Sequence, residues 1–406
     1  MNILFIHEVD LLKKVVFEIH SWSEMLSSLG HNVYVIDFEH EWSKENVLDI
    51  GSLKTKVFDN ISRTTNGSST TLIRPGFIKT PFVDRATALF THYFEIERVI
   101  NEKEIDIIIL YSVPTNGYQT VKLAGKYNVP VLFRSIDTLH MLVPTKALRP
   151  ITFSLEKWVY KHVDKILTLS PKLSEYVIRL GAEKDNVEML PFCVDTNAFN
   201  SGVGTQKLKQ RLGLTKEHKI VVFIGTLFEF SGLDLYIKQF PKVVKEVPNV
   251  KLVIVGGGIL LNKLKELVTE LNLKENVILT GFEPFELMPQ FINIADVCIN
   301  PFLINSTTQD IIPGKVIQYL ACAKPVLATP LPGMVSLLFG PEHGIIYSEI
   351  NQFAKNTIKI LKHDDFAKSV GKNGYLYVKS NHCEQKISHR LSSVLSQMVK
   401  KRLILE

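Results

Sequence analysis

Short apolar runs rich in Val, Ile and Leu recur along the chain, separated by helical patterns of about ten to fifteen residues. In the first half these runs are NILFIH, NVYVID, DIIILYS, PVLFRS, KILTLS and VEMLP; in the second half they are KIVVFIG, VKLVIVG, NVILTG, DVCINP and PVLAT. They are apolar nearly throughout, as strands covered on both faces are. The alternation predicts an α/β protein with two doubly wound parallel sheets.

A length of 406 residues is too great for one ordinary core and favours two domains. Gly, Ser, Asn and Thr interrupt the periodicity shortly before a fresh strand begins at Lys219. The predicted division is a first domain 1–194 joined by the C-terminal helix 385–406, a linker region 195–218 and a second domain 219–384. Because ligands of such sheets bind at the carboxyl ends of strands, two sheets predict a cleft between domains.

One polar stretch of the first domain, residues 59–77, has the composition of a surface loop. It contains Asn, Ser, Thr and Gly, and ends on the turn-forming pair Pro-Gly. We predict a mobile loop that can fold over the cleft.

The ends of the chain and its cysteines bear on location. The start, MNILFIHEVD, has a four-residue apolar run and no basic region, so it predicts a first buried strand rather than a signal peptide. No apolar stretch approaches the roughly 20 residues that span a bilayer. The four cysteines are far apart and form no CxxC pair, which favours reduced thiols over a disulfide framework or a metal site. We therefore expect a cytoplasmic protein.

The net charge of +6 is spread over the chain except at the tail, SQMVKKRLILE, where basic and apolar positions alternate. Nucleic acid is not an expected partner, because no basic stripe with interleaved aromatic residues is present. Two interpretations of the tail stay open. It is either a solvated helix face or a segment attracted to an anionic membrane surface, which would make the protein peripheral at the inner face.

The stretch TTQDIIPGKVIQYLACAKPVLATPLPG, residues 307–333, passes from a polar loop through Pro-Gly into a short helix pattern. If the helix begins at about Pro313, the amides of Gly314, Lys315 and Val316 are unpaired donors at its positive dipole end. A diphosphate fits such a site, with Lys315 adding a full charge and Gly314 permitting close approach. Gln318, one turn into the helix, leans back toward that end and can reach sugar hydroxyls.

Five segments in order carry a family resemblance: LGHNVYVID, VDKILTLSPKLSEYV, NVEMLPFCVDTNAF, VKLVIVGGG with NVILTGFEPFELMPQFINIADVCINPF, and residues 307–333. Over nearly its whole length the chain resembles glycosyltransferase family 4, the retaining nucleotide-sugar transferases with the GT-B fold. That fold has two Rossmann-like domains facing a deep cleft. The resemblance implies a nucleotide-diphosphate sugar as co-substrate, with no metal or other cofactor.

The resemblance also assigns roles in the donor site. The family carries two glutamates separated by seven residues, and this chain has Asp310 and Gln318 at that spacing. Asp310 would then lie near the transferred sugar as a catalytic residue, and Gln318 would bind the ribose. An amide in place of a carboxylate predicts weaker donor binding, since a charge-assisted hydrogen bond becomes a neutral one.

The diphosphate contacts depart further from the family pattern. In FIGTLFEFSGLDLYI the family places an Arg and a Lys where this chain has Thr226 and Ser231, although Gly225 and Gly232 remain. We predict that Lys315 supplies the missing positive charge. The remaining predicted donor-binding residues are Gly256 and Phe282 after two strands, and Pro313, Gly314 and Val316 at the helix start.

On the acceptor side, the family's glycine pair after the first strand aligns with Lys13 and Lys14. The family's His-Asp pair aligns with Ile136 and Asp137 in PVLFRSIDTLHML, so Asp137 is a second predicted catalytic residue. His140, three residues on, is a candidate polar contact or an ordinary hydrogen-bonded histidine. The acceptor contacts must therefore differ from those of the family.

Three interpretations stay open at this point. The favoured one is a retaining hexosyltransferase that moves a sugar to a glycan, a glycolipid or another hydroxyl acceptor. The second is a nucleotide-sugar epimerase on the same fold. The third is a non-catalytic relative that binds nucleotide sugar or a partner, as the substitutions at Thr226, Ser231 and Gln318 would allow. The sugar, the nucleotide base and the oligomeric state are not determined by the sequence.

Overall fold

The computed structural model of the chain describes all residues except 15, 40–48, 65–66, 82, 144 and 405–406. The chain divides into two compact units. The first unit comprises residues 1–190 and 388–406, and the second comprises residues 191–387. Each unit is built on its own sheet.

In the described part of the first unit, a main sheet of eight strands is accompanied by a small two-stranded sheet. In chain order its strands are β1 (Asn2–Ile6), β2 (Asn32–Ile36), β3 (Gly51–Ser52), β4 (Lys56–Ile61), β5 (Thr70–Arg74), β6 (Phe77–Ile78), β7 (Ile107–Leu110), β8 (Val131–Ser135), β9 (Lys165–Thr168) and β10 (Val187–Met189). The main sheet has the order β10-β9-β8-β7-β1-β2-β5-β4, parallel except for β4, and β3 pairs with β6. All six strands predicted in this half of the chain are confirmed.

Among the described residues, six α-helices of the first unit precede residue 190. They are α1 (Glu18–Ser28), α2 (Val83–Glu102), α3 (Gly117–Lys126), α4 (Leu139–Leu142), α5 (Arg149–His162) and α6 (Pro171–Arg179). Helix α3 packs against both α2 and α5. The central strands β1, β7 and β8 are almost fully buried, as their continuous apolar sequences predict.

The second unit has a six-stranded parallel sheet of order β13-β12-β11-β14-β15-β16. Its strands are β11 (Lys219–Ile224), β12 (Val250–Val255), β13 (Val277–Gly281), β14 (Val297–Asn300), β15 (Val326–Ala328) and β16 (Ile345–Tyr347). Its helices are α7 (Gln206–Arg211), α8 (Leu233–Glu246), α9 (Leu261–Glu270), α10 (Met288–Asn293), α11 (Gly314–Ala321), α12 (Pro332–Val335), α13 (Phe353–Lys362) and α14 (Asp364–Asn381). The five strands predicted here are confirmed.

The prediction of a loop over residues 59–77 is wrong for residues 59–61 and 70–74, which lie in strands. Residues 65–66 of the predicted loop lie outside the described residues. Strands β4 and β5 form an antiparallel pair at the edge of the main sheet. Leu72 and Ile73 are buried, and Arg74 forms ion pairs with Asp10 and Asp37. The surrounding Asn, Ser and Gly residues obscured the β-branched segment TTLIR, which packs beside β2.

The division of the chain also differs from the predicted one. It falls after Leu190, and the region 195–218 that we predicted as a linker lies within the second unit. Phe199, Leu208 and Leu214 are buried in the core of that unit. These apolar residues stand singly among polar ones, so they produced no visible periodicity.

The final helix, α15 (Glu384–Ile404), brings the chain back to the first unit at Ser388. Leu391 and Leu395 are fully buried, and Arg402 forms an ion pair with Asp164 at 3.2 Å. Lys400 and Lys401 are exposed. Within the described part of the chain, no helix is both long enough and apolar enough to cross a bilayer.

Candidate active site

Glycines terminate two neighbouring strands of the second unit. Gly225 follows β11 with φ 141°, and Gly256 follows β12 with φ 136°. A Cβ at Gly256 would lie 2.1 Å from the Gly225 carbonyl oxygen, so the two backbones touch. Gly232, at φ 67° before α8, is equally confined, because its Cβ would lie 2.0 Å from the Pro301 carbonyl oxygen. Close backbone packing therefore explains why Gly232 and Gly256 are glycines.

Helix α11 begins at Gly314, with Pro313 as its N-cap, close to the predicted start. The Val316 amide donates to the Pro313 carbonyl at 2.9 Å, so the prediction that this amide is unpaired is wrong. The bond closes the first tight turn of the helix. Among the described residues, no backbone carbonyl accepts from the amides of Gly314 and Lys315. The helix end thus offers two free amide donors rather than three.

The Lys315 ammonium lies against two aromatic rings beside this helix end. Its Nζ is 4.0 Å from the ring centroid of Phe223 and 4.1 Å from that of Phe302. A Cβ on Gly225 would lie 3.1 Å from the same nitrogen. Although the residue as a whole is half-buried, its ammonium end is enclosed, and burial lowers the pKa of Lys315 well below its usual range.

No carboxylate of the described residues offsets this charge. The two rings, in strand β11 and just after β14, stabilise a cation only partly. Lys315 is therefore a buried amine whose charged form has no anionic partner among the described residues. Sequence reasoning found the lysine but missed the rings, although Phe302 stands in the family-like segment DVCINPF.

Several of the other predicted donor residues have polar side-chain groups without a hydrogen-bond partner among the described residues. Asp310 and Gln318 are half-buried, and neither side chain has a hydrogen bond or ion pair within the described chain. Ser231 is fully buried and its Oγ has no partner among the described residues, while Thr226 is half-buried. The ring of Phe282 is 66% exposed, with its edge over Gly257.

Asn300 was missed by the sequence reasoning. It ends β14, is fully buried, and neither its Oδ1 nor its Nδ2 has a partner among the described residues. Buried amides are normally hydrogen-bonded, so this one is a further unsatisfied group in the second unit. A polar residue closing an apolar strand was the available signal.

In the first unit, Asp137 lies two residues beyond the end of β8. Burial raises the pKa of its carboxyl to about 6; the Glu18 carboxylate adds to the effect and the Lys14 ammonium opposes it. The structure therefore brings Asp137 and Lys14, two of the predicted acceptor-side residues, into one electrostatic cluster. A carboxyl group with a raised pKa at a strand end is a candidate functional group.

Glu18 is itself held by a buried ion pair with Arg134 of β8. The two side chains are 1% and 0% exposed, with Nη2–Oε2 at 2.6 Å and Nε–Oε1 at 2.7 Å. Arg134 also donates to the Leu190 carbonyl at 2.7 Å and lies 4.6 Å from the Trp22 ring. This pair joins α1 to the sheet and positions the charge that acts on Asp137.

His140 and Lys13 have partners within the first unit. His140 Nδ1 lies 2.6 Å from Glu156 Oε2, and the Glu156 carboxylate, which is fully buried, also accepts from the hydroxyls of Tyr160 and Tyr176. Lys13 forms an ion pair with Glu39 at 3.6 Å. His140 is thus oriented by Glu156, and its predicted contact with an acceptor stays a prediction.

Two family models match the chain. The model for Glycosyltransferase Family 4 matches residues 19–198, and the model for Glycosyl transferases group 1 matches residues 204–377. The chain belongs to glycosyltransferase family 4. The models meet near the boundary between the two units, so each unit corresponds to one half of the family's fold.

Curated relatives of this family 4 chain include lipid-modifying enzymes. A GDP-mannose-dependent α-(1-6)-phosphatidylinositol monomannoside mannosyltransferase of Mycolicibacterium smegmatis is 33% identical over 35% of this chain and 38% of its own length. An α-monoglucosyldiacylglycerol synthase of Streptococcus pneumoniae is 23% identical over 66% of this chain and 61% of its own. The chain spans only 41%, 38% and 42% of the first three curated relatives it matches.

Solved structures identify the fold as GT-B. The sucrose-phosphate synthase of Thermosynechococcus elongatus has a TM-score of 0.77 at 18% identity, covering 98% of this chain and 99% of the other. Anabaena Alr3699/HepE in complex with UDP-glucose has a TM-score of 0.72 at 16% identity, covering 98% and 100%. Among the described residues of the present chain, no three His, Cys, Asp or Glu side chains are grouped to hold a metal ion.

Proposed function

We propose that the chain is a retaining glycosyltransferase that moves a hexose from a nucleotide-diphosphate sugar to a hydroxyl of a glycan or glycolipid. The second unit binds the donor and the first unit binds the acceptor. Family membership supports sugar transfer as the class of reaction. The UDP and UDP-glucose complexes of Anabaena Alr3699/HepE support a nucleotide-sugar donor.

The observation that carries the proposal is the unpaired Lys315 ammonium. It is buried against Phe223 and Phe302 at the amino end of α11, where two amides are also free. Burying an uncompensated cation is unfavourable, and an anion that binds there removes the penalty. A diphosphate is an anion of the right charge, and helix amino ends commonly bind phosphate. Lys315 thereby replaces the charge lost at Thr226 and Ser231.

The transfer follows from these groups. The acceptor oxygen forms a bond to the anomeric carbon on the face from which the diphosphate departs, and the carbon–oxygen bond to the phosphate breaks. The acceptor proton passes to the departing phosphate oxygen. Lys315 and the two amides stabilise the charge that grows on the diphosphate, while Asp310 supports the positive anomeric carbon.

On the acceptor side, Asp137 orients the attacking hydroxyl. Its raised pKa, about 6, leaves it largely ionised at neutral pH and able to accept a hydrogen bond from that hydroxyl. Lys14 lies close enough to act on the same carboxylate. We propose no metal or other cofactor for this chemistry, since Lys315 and the helix end supply the positive charge.

The first test is a thermal-shift screen of the purified protein against UDP, GDP, ADP, CDP and their common sugars. A stabilising nucleotide identifies the donor, and transfer to a glycolipid acceptor is then followed with the anomeric configuration of the product read by NMR. Asp310→Asn should bind that nucleotide as the parent does and lose transfer. An epimerised donor in the absence of acceptor would instead identify an epimerase.

A clear outcome would contradict the proposal. If no nucleotide raises the melting temperature of the parent, the second unit does not bind the donor. If a nucleotide binds but neither transfer nor donor turnover occurs with any hydroxyl acceptor, the chain is a non-catalytic relative.

A further inference from the structure

A stretch of the first unit just after β8 exposes large apolar side chains to solvent. Leu142 at the end of α4 is 48% exposed, Leu148 is 49% exposed and Ile151 in the first turn of α5 is 59% exposed. Single exposed apolar residues are ordinary, but three within ten residues form a local apolar area. Nothing in the described first unit covers these side chains.

Within this segment of the sequence, the exposed acidic and basic side chains carry one sign of charge. Residues 138–163 contain four basic residues, Lys146, Arg149, Lys157 and Lys161, and a single acidic one, Glu156. Glu156 is fully buried and bonded to His140, so the exposed side of this segment carries no carboxylate. Exposed apolar side chains flanked by lysines are the pattern of a segment that lies in the headgroup region of a membrane.

Helix α3 packs against α5, and aromatic residues lie where the two helices meet. The rings of Tyr118 and Trp158 lie 4.5 Å apart, and the Lys122 ammonium is 5.8 Å from the first centroid and 5.4 Å from the second. Tyr118 is 46% exposed. Tyr and Trp are enriched at the boundary between lipid and water, where an apolar ring and a polar tip are both accommodated.

We propose that this basic apolar surface, formed by Tyr118, Leu142, Lys146, Leu148, Ile151 and Lys157, binds an anionic bilayer. Asp137 and His140 lie directly before Leu142 of this surface in the sequence, so binding brings the acceptor side of the first unit to the lipid headgroups. The acceptor hydroxyl is therefore carried by a membrane lipid. This second statement rests on the proposed function, whereas membrane binding by the surface does not.

Helix α2 carries a competing apolar stripe. Phe90 is 70% exposed and Phe94 is 64% exposed. The helix as a whole, residues 83–102, contains four acidic and two basic residues, so its net charge opposes an anionic surface. The charge of residues 138–163 complements that surface.

The tail is a second competitor, because its sequence suggested membrane attraction. In the structure its apolar positions Leu391 and Leu395 are buried, and Arg402 is paired with Asp164. Only Lys400 and Lys401 remain exposed as basic residues near its end. A matched pair of lysine variants therefore separates the two surfaces.

The test is flotation of the full-length protein with vesicles of equal parts phosphatidylcholine and phosphatidylglycerol, and with vesicles of phosphatidylcholine alone. The parent should float with the anionic vesicles, and added salt should release it. Lys146→Ala with Lys157→Ala should lower the partition coefficient about fivefold for each lysine. Leu148→Ser with Ile151→Ser should lower it roughly tenfold or more.

The control variants are Lys400→Ala with Lys401→Ala, and Phe90→Ser with Phe94→Ser; both should float as the parent does. Melting temperatures of all variants should match, since the substituted side chains are exposed. The inference is overturned if the parent does not bind anionic vesicles, or if a control loses binding while the surface variants keep it. Nucleotide-induced thermal shifts, unchanged in every variant, keep this result separate from the test of the donor site.

Discussion

The two units treat buried charge differently. In the first unit Arg134 and Glu18 neutralise each other, as Arg74 does with Asp10 and Asp37. In the second unit the Lys315 ammonium is enclosed with no carboxylate among the described residues. Paired charges stabilise the folded structure. An unpaired buried charge destabilises the folded protein, and a bound ligand of opposite charge removes that cost. Sorting charges by partner therefore separates structural from functional residues.

The largest expected effect comes from breaking a pair. Arg134→Ala leaves the Glu18 carboxylate buried alone and should lower the free energy of unfolding by about 3 to 5 kcal/mol. Urea denaturation followed by far-UV circular dichroism measures it. The double variant Glu18→Leu with Arg134→Met should recover much of the loss, because both charges are then absent. A single variant as stable as the parent would show that the pair is not structural.

Removing the unpaired charge of Lys315 should not destabilise the protein. Lys315→Met should leave stability unchanged or raised, and should weaken nucleotide binding by roughly 10- to 100-fold, the worth of a charge-assisted hydrogen bond. Isothermal titration measures the affinity. Lys324→Met is the matched control, since the Lys324 ammonium donates to the carbonyls of Asn293 and Ala295 at 2.9 Å. It should lose stability and keep affinity; equal affinity in Lys315→Met and parent would contradict the assignment.

Proton linkage sharpens the same contrast. Burial lowers the pKa of Lys315 in the free protein, and a bound diphosphate should raise it again. Between the two pKa values, nucleotide binding takes up a proton, so affinity should fall as pH rises through that interval. Titrations in buffers of different ionisation enthalpy measure the uptake. Lys315→Met should abolish it, and an uptake that persists in this variant would assign the proton to another group.

Asp137 is an exception to the pairing of buried charge in the first unit, since its carboxyl forms no ion pair with the described residues, and a smaller effect is expected there. Its pKa of about 6 lies above the unfolded value of 3.8, so the native state holds a proton that the unfolded state has lost between those pH values. Stability therefore falls as pH rises from about 4 to 6. Asp137→Asn should gain about 1 to 2 kcal/mol at pH 8, discounted for partial exposure, and little at pH 4.

Calorimetric melting at the two pH values measures the change, with transfer assayed in parallel. The asparagine variant should be the more stable protein and the weaker enzyme. If the difference in melting temperature between variant and parent is the same at both pH values, burial does not destabilise the ionised Asp137 carboxylate.

The smallest effect is expected at Gln318, where only the sign is informative. Gln318→Glu exchanges a neutral for a charge-assisted hydrogen bond to the ribose, a difference of roughly 1 kcal/mol, or about fivefold in donor affinity. If titration shows tighter donor binding, the replacement of the family's glutamate by Gln318 has lowered donor affinity. A weaker complex would mean that this site is adapted to an amide.

Much of the fold could be predicted from the sequence, because fully buried parallel strands have continuous apolar sequences. Strand β4 was missed because it is a largely exposed edge strand, and β5 was missed because turn-forming residues precede and follow it in the sequence. The start of α11 was predictable from the Pro-Gly pair. The hydrogen bond from the Val316 amide to the Pro313 carbonyl was not predictable, because it depends on the tight first turn of the helix.

The partners of charged side chains were the least predictable part of the site. Arg134 within the apolar run PVLFRS signals that a buried acid must exist, yet nothing in the sequence selects Glu18, which lies 116 residues away. Phe223 lies in β11 and Phe302 just after β14. These strands are far apart in sequence, and only the sheet order brings both rings to Lys315.

The return of the chain to the first unit at Ser388 affects how the protein is made. The whole second unit is inserted between residues 190 and 388, so a ribosome completes it before it synthesises the part of α15 that belongs to the first unit. Until then, the surface of the first unit that receives Leu391 and Leu395 stays uncovered. The inserted unit can fold first, while the unit that begins the chain waits for its closing helix and is the one exposed to chaperones and proteases during synthesis.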